Sequence, residues 1–300
     1  MNSNPAKIQV IDLSYPRKVH FIGIGGMGMS GLAQILLKQG HSVSGSDIDD
    51  NNINIERIKA LGGRVYGNHD KGNIKKAEIV VYSSCISDNN PEIIQSKANG
   101  LEIIPRAVVL AELMKGKRSI AVSGTHGKTT VSALISLIVS RAGLEPTIIV
   151  GGELEDFNNN ACPGEGNYVV AEADESDASF LYLNQTYSVI TNIEPDHMDY
   201  YHNMDQVLET YEKFINNTST NGFVVGCLDD AHILSLRQKT DKKFITYGLS
   251  AQADLRADNI CLKDLGSEFD LIYHNKNLGR ITIQIPGEYN ILNALSACAL

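Results

Sequence analysis

The chain has little proline, no paired cysteines, no surplus of positive charge and no long apolar run, and each shortage removes a class of protein. Eight prolines beside 26 glycines, with 43% hydrophobic residues, suit an ordinary soluble α/β protein, and no repeat or low-complexity segment interrupts the pattern. The five cysteines (Cys85, Cys162, Cys227, Cys261 and Cys298) are odd in number, and none lies within metal-clip spacing of another. That spacing argues against a disulfide framework or a zinc site and fits a reducing compartment. A formal charge of −9 excludes a broad electrostatic attraction to nucleic acid, so any phosphate ligand has to be held by local groups. The most apolar stretch, residues 131–139, is far shorter than a membrane span. Residues 1–20 hold no unbroken apolar core followed by a cleavage signal. These absences together predict a cytoplasmic protein with neither nucleic acid nor membrane as partner.

What is present is a regular alternation of strand and helix patterns. At 300 residues the length favours two domains. In the first, the apolar run Val19-His20-Phe21-Ile22 leads into a glycine-rich loop, residues 23–28. Leu32, Ile35, Leu36 and Gln39 then keep helical spacing as far as Gly40. A second strand ends near Asp47, a helix covers about 53–61, and Ile79-Val80-Val81-Tyr82 forms a third strand. Such alternation predicts a parallel sheet with crossover helices. The bridge Met114-Lys115-Gly116-Lys117-Arg118 is the expected boundary, giving domains 1–114 and 115–300.

After the bridge the alternation restarts. Strands are expected at 119–123, 147–150, 168–171, 187–190 and 223–226, and helices at 128–142 and 204–215. The second of these helices gathers Val207, Tyr211, Phe214 and Ile215 on one side. Residues 271–273 and 281–285 have the pattern of a smaller antiparallel piece. Residues 290–300 form an expected helix, apolar nearly all round, that reaches Leu300 without a glycine stop, a basic last turn or a polar tail. Further chain is therefore expected to follow.

Four motifs carry chemistry. Gly124-Thr125-His126-Gly127-Lys128-Thr129-Thr130 follows the strand Ile120-Ala121-Val122 and opens a helix. A glycine-rich turn there aims backbone N–H groups and the positive end of the helix at phosphate oxygens. Lys128 can reach the β- and γ-phosphates, and the Thr129 hydroxyl can ligate Mg²⁺. Only two residues separate Gly124 from Gly127, fewer than in the full Walker form. Next, Glu172-Ala173-Asp174-Glu175-Ser176-Asp177 places four carboxylates at the end of a buried strand, where they repel one another unless a cation is near. Third, Glu194-Pro195-Asp196-His197-Met198-Asp199 sets a histidine between acids just past another strand, a candidate second metal ligand. Finally, Gly23-x-Gly25-x-x-Gly28 with Asp47 about twenty residues on fits the dinucleotide fingerprint. That motif alone admits NAD, FAD or a UDP-sugar.

Together, in this order, the motifs resemble the Mur ligases, and within them the alanine-adding branch. His20-Phe-Ile-Gly-Ile-Gly-Gly-Met-Gly-Met-Ser-Gly31, Gly45-Ser46-Asp47, Tyr82-Ser-Ser-Cys-Ile-Ser87 and Pro105-Arg106 are similar to that branch's opening domain. Residues 124–130, 172–177 and 194–199 resemble its central ATPase domain, and Pro286-Gly-Glu-Tyr-Asn-Ile-Leu-Asn-Ala294 its adenine-contacting segment. The resemblance implies an α/β chain with a Rossmann-like parallel-sheet domain that binds UDP-N-acetylmuramate, followed by a P-loop-type ATPase domain. It places Gly25, Gly26, Met27, Gly28, Asp47, Ser83 and Arg106 at the UDP-sugar. It places Gly124, Thr125, His126, Gly127, Lys128, Thr129, Thr130 and Asn293 at ATP, and Thr129, Glu172 and His197 at Mg²⁺, with Lys128, Glu172 and His197 catalytic. The implied reaction joins L-alanine to the muramoyl carboxylate through an acyl phosphate, in peptidoglycan precursor synthesis. Three departures stand out. Tyr289 replaces a common histidine, Lys213 is assigned no metal-bridging role although sister ligases use a carbamylated lysine, and the family's third, amino-acid-binding domain is absent from these residues. Other readings of the motifs are a peptide-adding muramate ligase, an NAD-dependent oxidoreductase resting on residues 23–28 and Asp47, and a nucleotide-binding module without turnover.

Overall fold

The computed structural model describes residues 11–49, 51–157 and 159–300; the first ten residues of the stretch searched for a leader lie outside them. In chain order the elements begin β1 (Lys18–Ile22), α1 (Met27–Lys38), β2 (Ser42–Ser46), α2 (Ile53–Ala60), β3 (Arg64–Tyr66), β4 (Ile79–Tyr82), α3 (Pro91–Ala98), β5 (Glu102–Pro105) and α4 (Arg106–Met114). They continue with β6 (Arg118–Ser123), α5 (Lys128–Arg141), β7 (Thr147–Leu154), β8 (Asn159–Cys162), β9 (Tyr168–Glu172), β10 (Tyr187–Ile190), α6 (Met198–Tyr201) and α7 (Met204–Asn216). Last come β11 (Phe223–Cys227), α8 (Ala231–Arg237), β12 (Phe244–Gly248), β13 (Leu255–Lys263), β14 (Gly266–Tyr273), β15 (Lys276–Ile283) and α9 (Glu288–Cys298).

The chain forms two compact units, Met1–Lys115 with Thr147–Glu165, and Gly116–Pro146 with Gly166–Leu300. The first is built on a parallel sheet of order β3-β2-β1-β4-β5. Its central strand β4 is apolar and mostly buried, and β1 is buried from Val19 to Ile22 with His20 as its one polar side chain there, as expected of strands covered on both faces. Helix α1 ends where Gly40, at φ +89°, takes the left-handed conformation that stops it. Thr147–Glu165 belongs to this unit rather than to the one that surrounds it in sequence. The antiparallel pair β7–β8 lies against α1, where Asn160 Nδ2 donates to the Met27 carbonyl at 2.5 Å and Gly31 leaves room for Ala161.

The second unit orders its strands β15-β14-β13-β12-β11-β10-β6-β9. Strands β9, β6, β10, β11 and β12 are parallel, and β13–β15 form an antiparallel meander. Asn203 caps α7 by accepting from the Gln206 N–H, and the face carrying Val207, Tyr211, Phe214 and Ile215 is buried. Phe180 stacks on Phe214 with ring centroids 4.6 Å apart and meets Tyr211 edge-on at 5.3 Å. Phe214→Ala is expected to destabilise this unit by about 3–5 kcal/mol, read as a lower urea midpoint with an unchanged slope. Helix α9 starts at Glu288, two positions earlier than its apolar pattern indicates. It buries Ile291, Ala294, Leu295, Ser296 and Ala297 and leaves Tyr289 exposed, so it is one-sided rather than apolar all round.

Candidate active site

In the second unit the predicted phosphate turn stands at the carboxyl end of β6, where parallel sheets present ligand-binding loops. Gly124 and Gly127 have φ +135° and +85°, values a side chain rarely tolerates. The space is closed as well. A Cβ on Gly124 would lie 2.0 Å from Thr191 Oγ1, and one on Gly127 would lie 2.5 Å from Asn293 Oδ1. Asn293, on α9, is thus brought against the turn, although 165 residues separate it from Lys128.

The turn is laced to the loop after β10. The Thr125 N–H donates to the Asn192 carbonyl (3.0 Å) and the His126 N–H to Asn192 Oδ1 (2.9 Å). Asn192 Nδ2 and Thr191 Oγ1 both donate to the His126 carbonyl, and Tyr247 Oη, from buried β12, donates to the Thr191 carbonyl at 3.1 Å. Two of the amides expected to face phosphate are therefore occupied. The first-turn amides of α5 are the ones left to such a ligand, because no side chain caps that helix at Gly127. The imidazole of His126 is exposed, so the motif's histidine contributes through its backbone. The sequence pattern did not reveal Thr191, Asn192 or Tyr247 as supports. Their partners lie more than fifty residues away, and the only local hint was a polar pair directly after a buried strand.

Lys128 Nζ folds back to donate to the Gly124 carbonyl (2.6 Å), the Thr125 carbonyl (3.3 Å) and Glu175 Oε1 (2.7 Å). Glu175 is nearly buried; burial pushes its carboxyl above the ordinary range, and the Lys128 ammonium pulls partly the other way. Tyr201 Oη donates to the Glu175 carbonyl, and His197 Nε2 stands 3.9 Å from Glu175 Oε1. His197 is itself left-handed, at φ +52°, where it caps α6. Glu172 ends β9 in register with Val122 of β6, one strand from the turn. Of the acidic run, Glu175 is the member found against Lys128, a role its position among four acids did not single out. Lys213 is exposed on α7.

Among the described residues no cluster of three or more His, Cys, Asp or Glu side chains forms a ready-made metal cage. The hydroxyl of Thr129 and the carboxylate of Glu172 are hard oxygen donors. Such a sparse set suits Mg²⁺, which is commonly held by one or two protein oxygens together with substrate phosphates.

In the first unit the glycine-rich loop joins β1 to α1. The Gly23 and Ile24 N–H groups donate to the Ser46 carbonyl at 2.8 and 3.1 Å, and the Gly25 N–H donates to Asp47 Oδ2 at 2.8 Å. Asp47 Oδ1 accepts from the Asp49 N–H, so both oxygens of Asp47 hold backbone. Asn54 Nδ2 donates to the Gly25 carbonyl. A Cβ on Gly28 would meet the Arg106 guanidinium at 2.6 Å, and one on Gly23 would approach Ser83 Oγ at 3.9 Å. Gly25, Gly28, Asp47, Ser83 and Arg106 are thus gathered around this loop. With Gly26 and Met27, at the uncapped N-terminus of α1, they combine a helix dipole with an arginine, a combination suited to a diphosphate.

Fold and site define an α/β chain with a glycine-rich turn opening onto a helix N-terminus in each of two units. Residues 122–300 match the Mur ligase middle domain and residues 18–118 the Mur ligase family catalytic domain; the chain belongs to the Mur ligase family. It is 44% identical over 283 residues to the UDP-N-acetylmuramate–L-alanine ligase of Geobacter sp. strain M21, a match covering 94% of this chain and 61% of that protein. To the enzyme of that name from Aquifex aeolicus it is 47% identical, over 94% of this chain and 62% of that one. The chain thus spans about three-fifths of the length of these curated relatives. The crystal structure of the Thermotoga maritima UDP-N-acetylmuramate–alanine ligase superposes with a TM-score of 0.83 at 28% identity, over 94% of this chain and 64% of that one. A Neisseria ligase for UDP-N-acetylmuramate and a tripeptide gives 0.87 at 24% identity, over 95% and 93%, which shows a shared fold. Among the described residues no helix is long and apolar enough to cross a membrane.

Proposed function

We propose that this chain carries the UDP-sugar and ATP sites of a cytoplasmic ligase that joins L-alanine to the carboxylate of UDP-N-acetylmuramate during peptidoglycan precursor synthesis. The observation that carries the reading is the meeting of Lys128 and Glu175 beneath the N-terminus of α5, at the carboxyl ends of the neighbouring strands β6 and β9. A carboxylate is a poor acylating agent until one of its oxygens becomes a phosphate leaving group. In this reading the muramoyl carboxylate attacks the γ-phosphorus of ATP, ADP departs, and an acyl phosphate remains. The amine of L-alanine then displaces phosphate, giving the amide and releasing a proton. Lys128 supplies positive charge to the transferring phosphoryl group. The first-turn amides of α5, including those of Thr129 and Thr130, hold phosphate oxygens, while Gly124, Thr125, His126 and Gly127 shape the turn and Asn293 lies towards the adenine. Thr129, Glu172 and His197 would hold Mg²⁺, which would supply positive charge at the β- and γ-phosphates.

In the first unit, Arg106 and the amides at Met27 and Gly28 take the uridine diphosphate, with Gly26 and Ser83 at its edge, and Asp47 acts through the loop it holds. That engagement of Asp47 disfavours an oxidoreductase, in which this acid binds a ribose. Phosphate release from Mg·ATP that requires both UDP-N-acetylmuramate and L-alanine supports the ligase. Binding of both ligands without such release would replace it with a nucleotide-binding module. His197→Ala is expected to weaken the Mg²⁺ dependence of ATP binding in a calorimetric magnesium titration; an unchanged titration would leave His197 as the cap of α6 alone.

A further inference from the structure

The first unit buries a carboxylate that none of these roles uses. Glu92, in the first turn of α3, is fully buried. Its Oε2 accepts from Ser46 Oγ at 2.5 Å, and its Oε1 accepts from Asn73 Nδ2 at 2.7 Å. His20 Nε2 stands 3.5 Å from Oε1, and His69 Nδ1 stands 3.3 Å from Oε2 and 2.9 Å from Ser46 Oγ. The other ring nitrogen of His20 meets Ser44 Oγ at 2.9 Å. Residues from β1, β2, the segment after β3 and α3 thus converge on one acid. Burial by itself pushes the Glu92 carboxyl up, but the close His20 ring and the bonds from Ser46 and Asn73 outweigh it and hold the group below the ordinary range.

A buried ionised group is costly unless fully partnered, and well-packed apolar side chains often stabilise as much. Apolar packing is already at hand, because Ile74 and Ile93, the chain neighbours of Asn73 and Glu92, join Ile22 and Val80 in a core cluster. What Glu92 adds is a fixed partner for Ser46. The carbonyl of that residue takes the Gly23 and Ile24 amides, and its neighbour Asp47 takes the Gly25 amide. Three successive loop amides therefore depend on two residues at the end of β2.

We propose that Glu92 is a positioning residue for nucleoside-diphosphate binding, holding through Ser46 the backbone of the 23–28 loop without touching the ligand. The ligand class rests on the UDP-sugar reading above; the loop-holding role rests on the hydrogen bonds alone. Glu92→Gln and Ser46→Ala, singly and together, test it by amide hydrogen exchange and by titration with UDP-N-acetylmuramate. Each single variant is expected to speed exchange at Gly23 and Ile24 about tenfold, the scale of one charge-assisted bond, while Val225 in β11 keeps its native rate. UDP-N-acetylmuramate affinity should fall by a similar factor with Mg·ATP affinity unchanged. The double variant should be no worse than the weaker single, because both remove one interaction.

Native exchange at Gly23 and Ile24 with native affinity in a variant that melts earlier would overturn the proposal and leave Glu92 a stability residue. If Glu92→Gln does not fold, Ser46→Ala decides alone, since it leaves the carboxylate its Asn73 bond. Should the wild type fail to bind UDP-N-acetylmuramate, the UDP-sugar reading falls, while the exchange rates still judge the loop-holding role.

Discussion

Lys128→Ala should reduce Mg·ATP affinity by about a hundredfold, the range expected for two charge-assisted bonds to phosphate, while the chain stays folded. The ammonium is held at the phosphate turn by three acceptors: the Gly124 carbonyl, the Thr125 carbonyl and Glu175. Its removal also deprives the nearly buried Glu175 of its ammonium partner, leaving the Ser123 hydroxyl at 3.5 Å and His197 Nε2 at 3.9 Å. Deleting one member of a buried ion pair can cost about 3–5 kcal/mol. Here burial raises the Glu175 carboxyl and two polar neighbours remain beside it, so the loss should be nearer about 1–2 kcal/mol. Calorimetry and a urea melt separate the two effects. Native ATP affinity in a folded variant would contradict the phosphate-turn assignment.

Gly124→Ala should be the more damaging change to the fold. A non-glycine residue at φ +135° stores roughly 1–3 kcal/mol of backbone strain. The new Cβ would also fall 2.0 Å from Thr191 Oγ1, an overlap that forces Thr191 aside at a cost of about 1–3 kcal/mol. Thr191 holds the His126 carbonyl and is itself held by Tyr247, so its displacement loosens the turn and the loop after β10 together. The expected result is a marked fall in urea midpoint accompanied by loss of ATP binding. A variant with a native midpoint would show that the turn adapts, contrary to the packing described. Tyr247→Phe provides a milder comparison, removing one buried donor for about 1 kcal/mol.

The glycine-rich turns and most parallel strands were legible because each is a local signal. A short, mostly apolar run such as Tyr187–Ile190 favours a strand by its length, and a glycine-rich stretch before a helix pattern favours a turn. The polar strand β8, Asn-Asn-Ala-Cys, gave no such signal. Its strand state follows from pairing with β7 and from Asn160 bonding to Met27, 133 residues away. The same distance hid the fact that Thr147–Glu165 belongs to the first unit. Within the site, residue types were legible and their engagements were not. Asp47 has the spacing of a ribose ligand yet spends its oxygens on backbone, and the Thr125 and His126 amides are taken by Asn192. Glu92 was invisible for a simpler reason. An acid in the first turn of a helix is normally a solvated residue favoured by the dipole, and only the tertiary fold buries this one.

One unit is expected to hold a nucleoside-diphosphate sugar and the other ATP. A thermal-shift panel with Mg·ATP, UDP-N-acetylmuramate, NADH and buffer alone tests it most directly, because a ligand at a hundredfold excess over its Kd stabilises its site by about 2.7 kcal/mol whether or not turnover occurs. The expected result is stabilisation by Mg·ATP and by UDP-N-acetylmuramate and none by NADH. Stabilisation by NADH alone would contradict it and assign the first unit to an oxidoreductase.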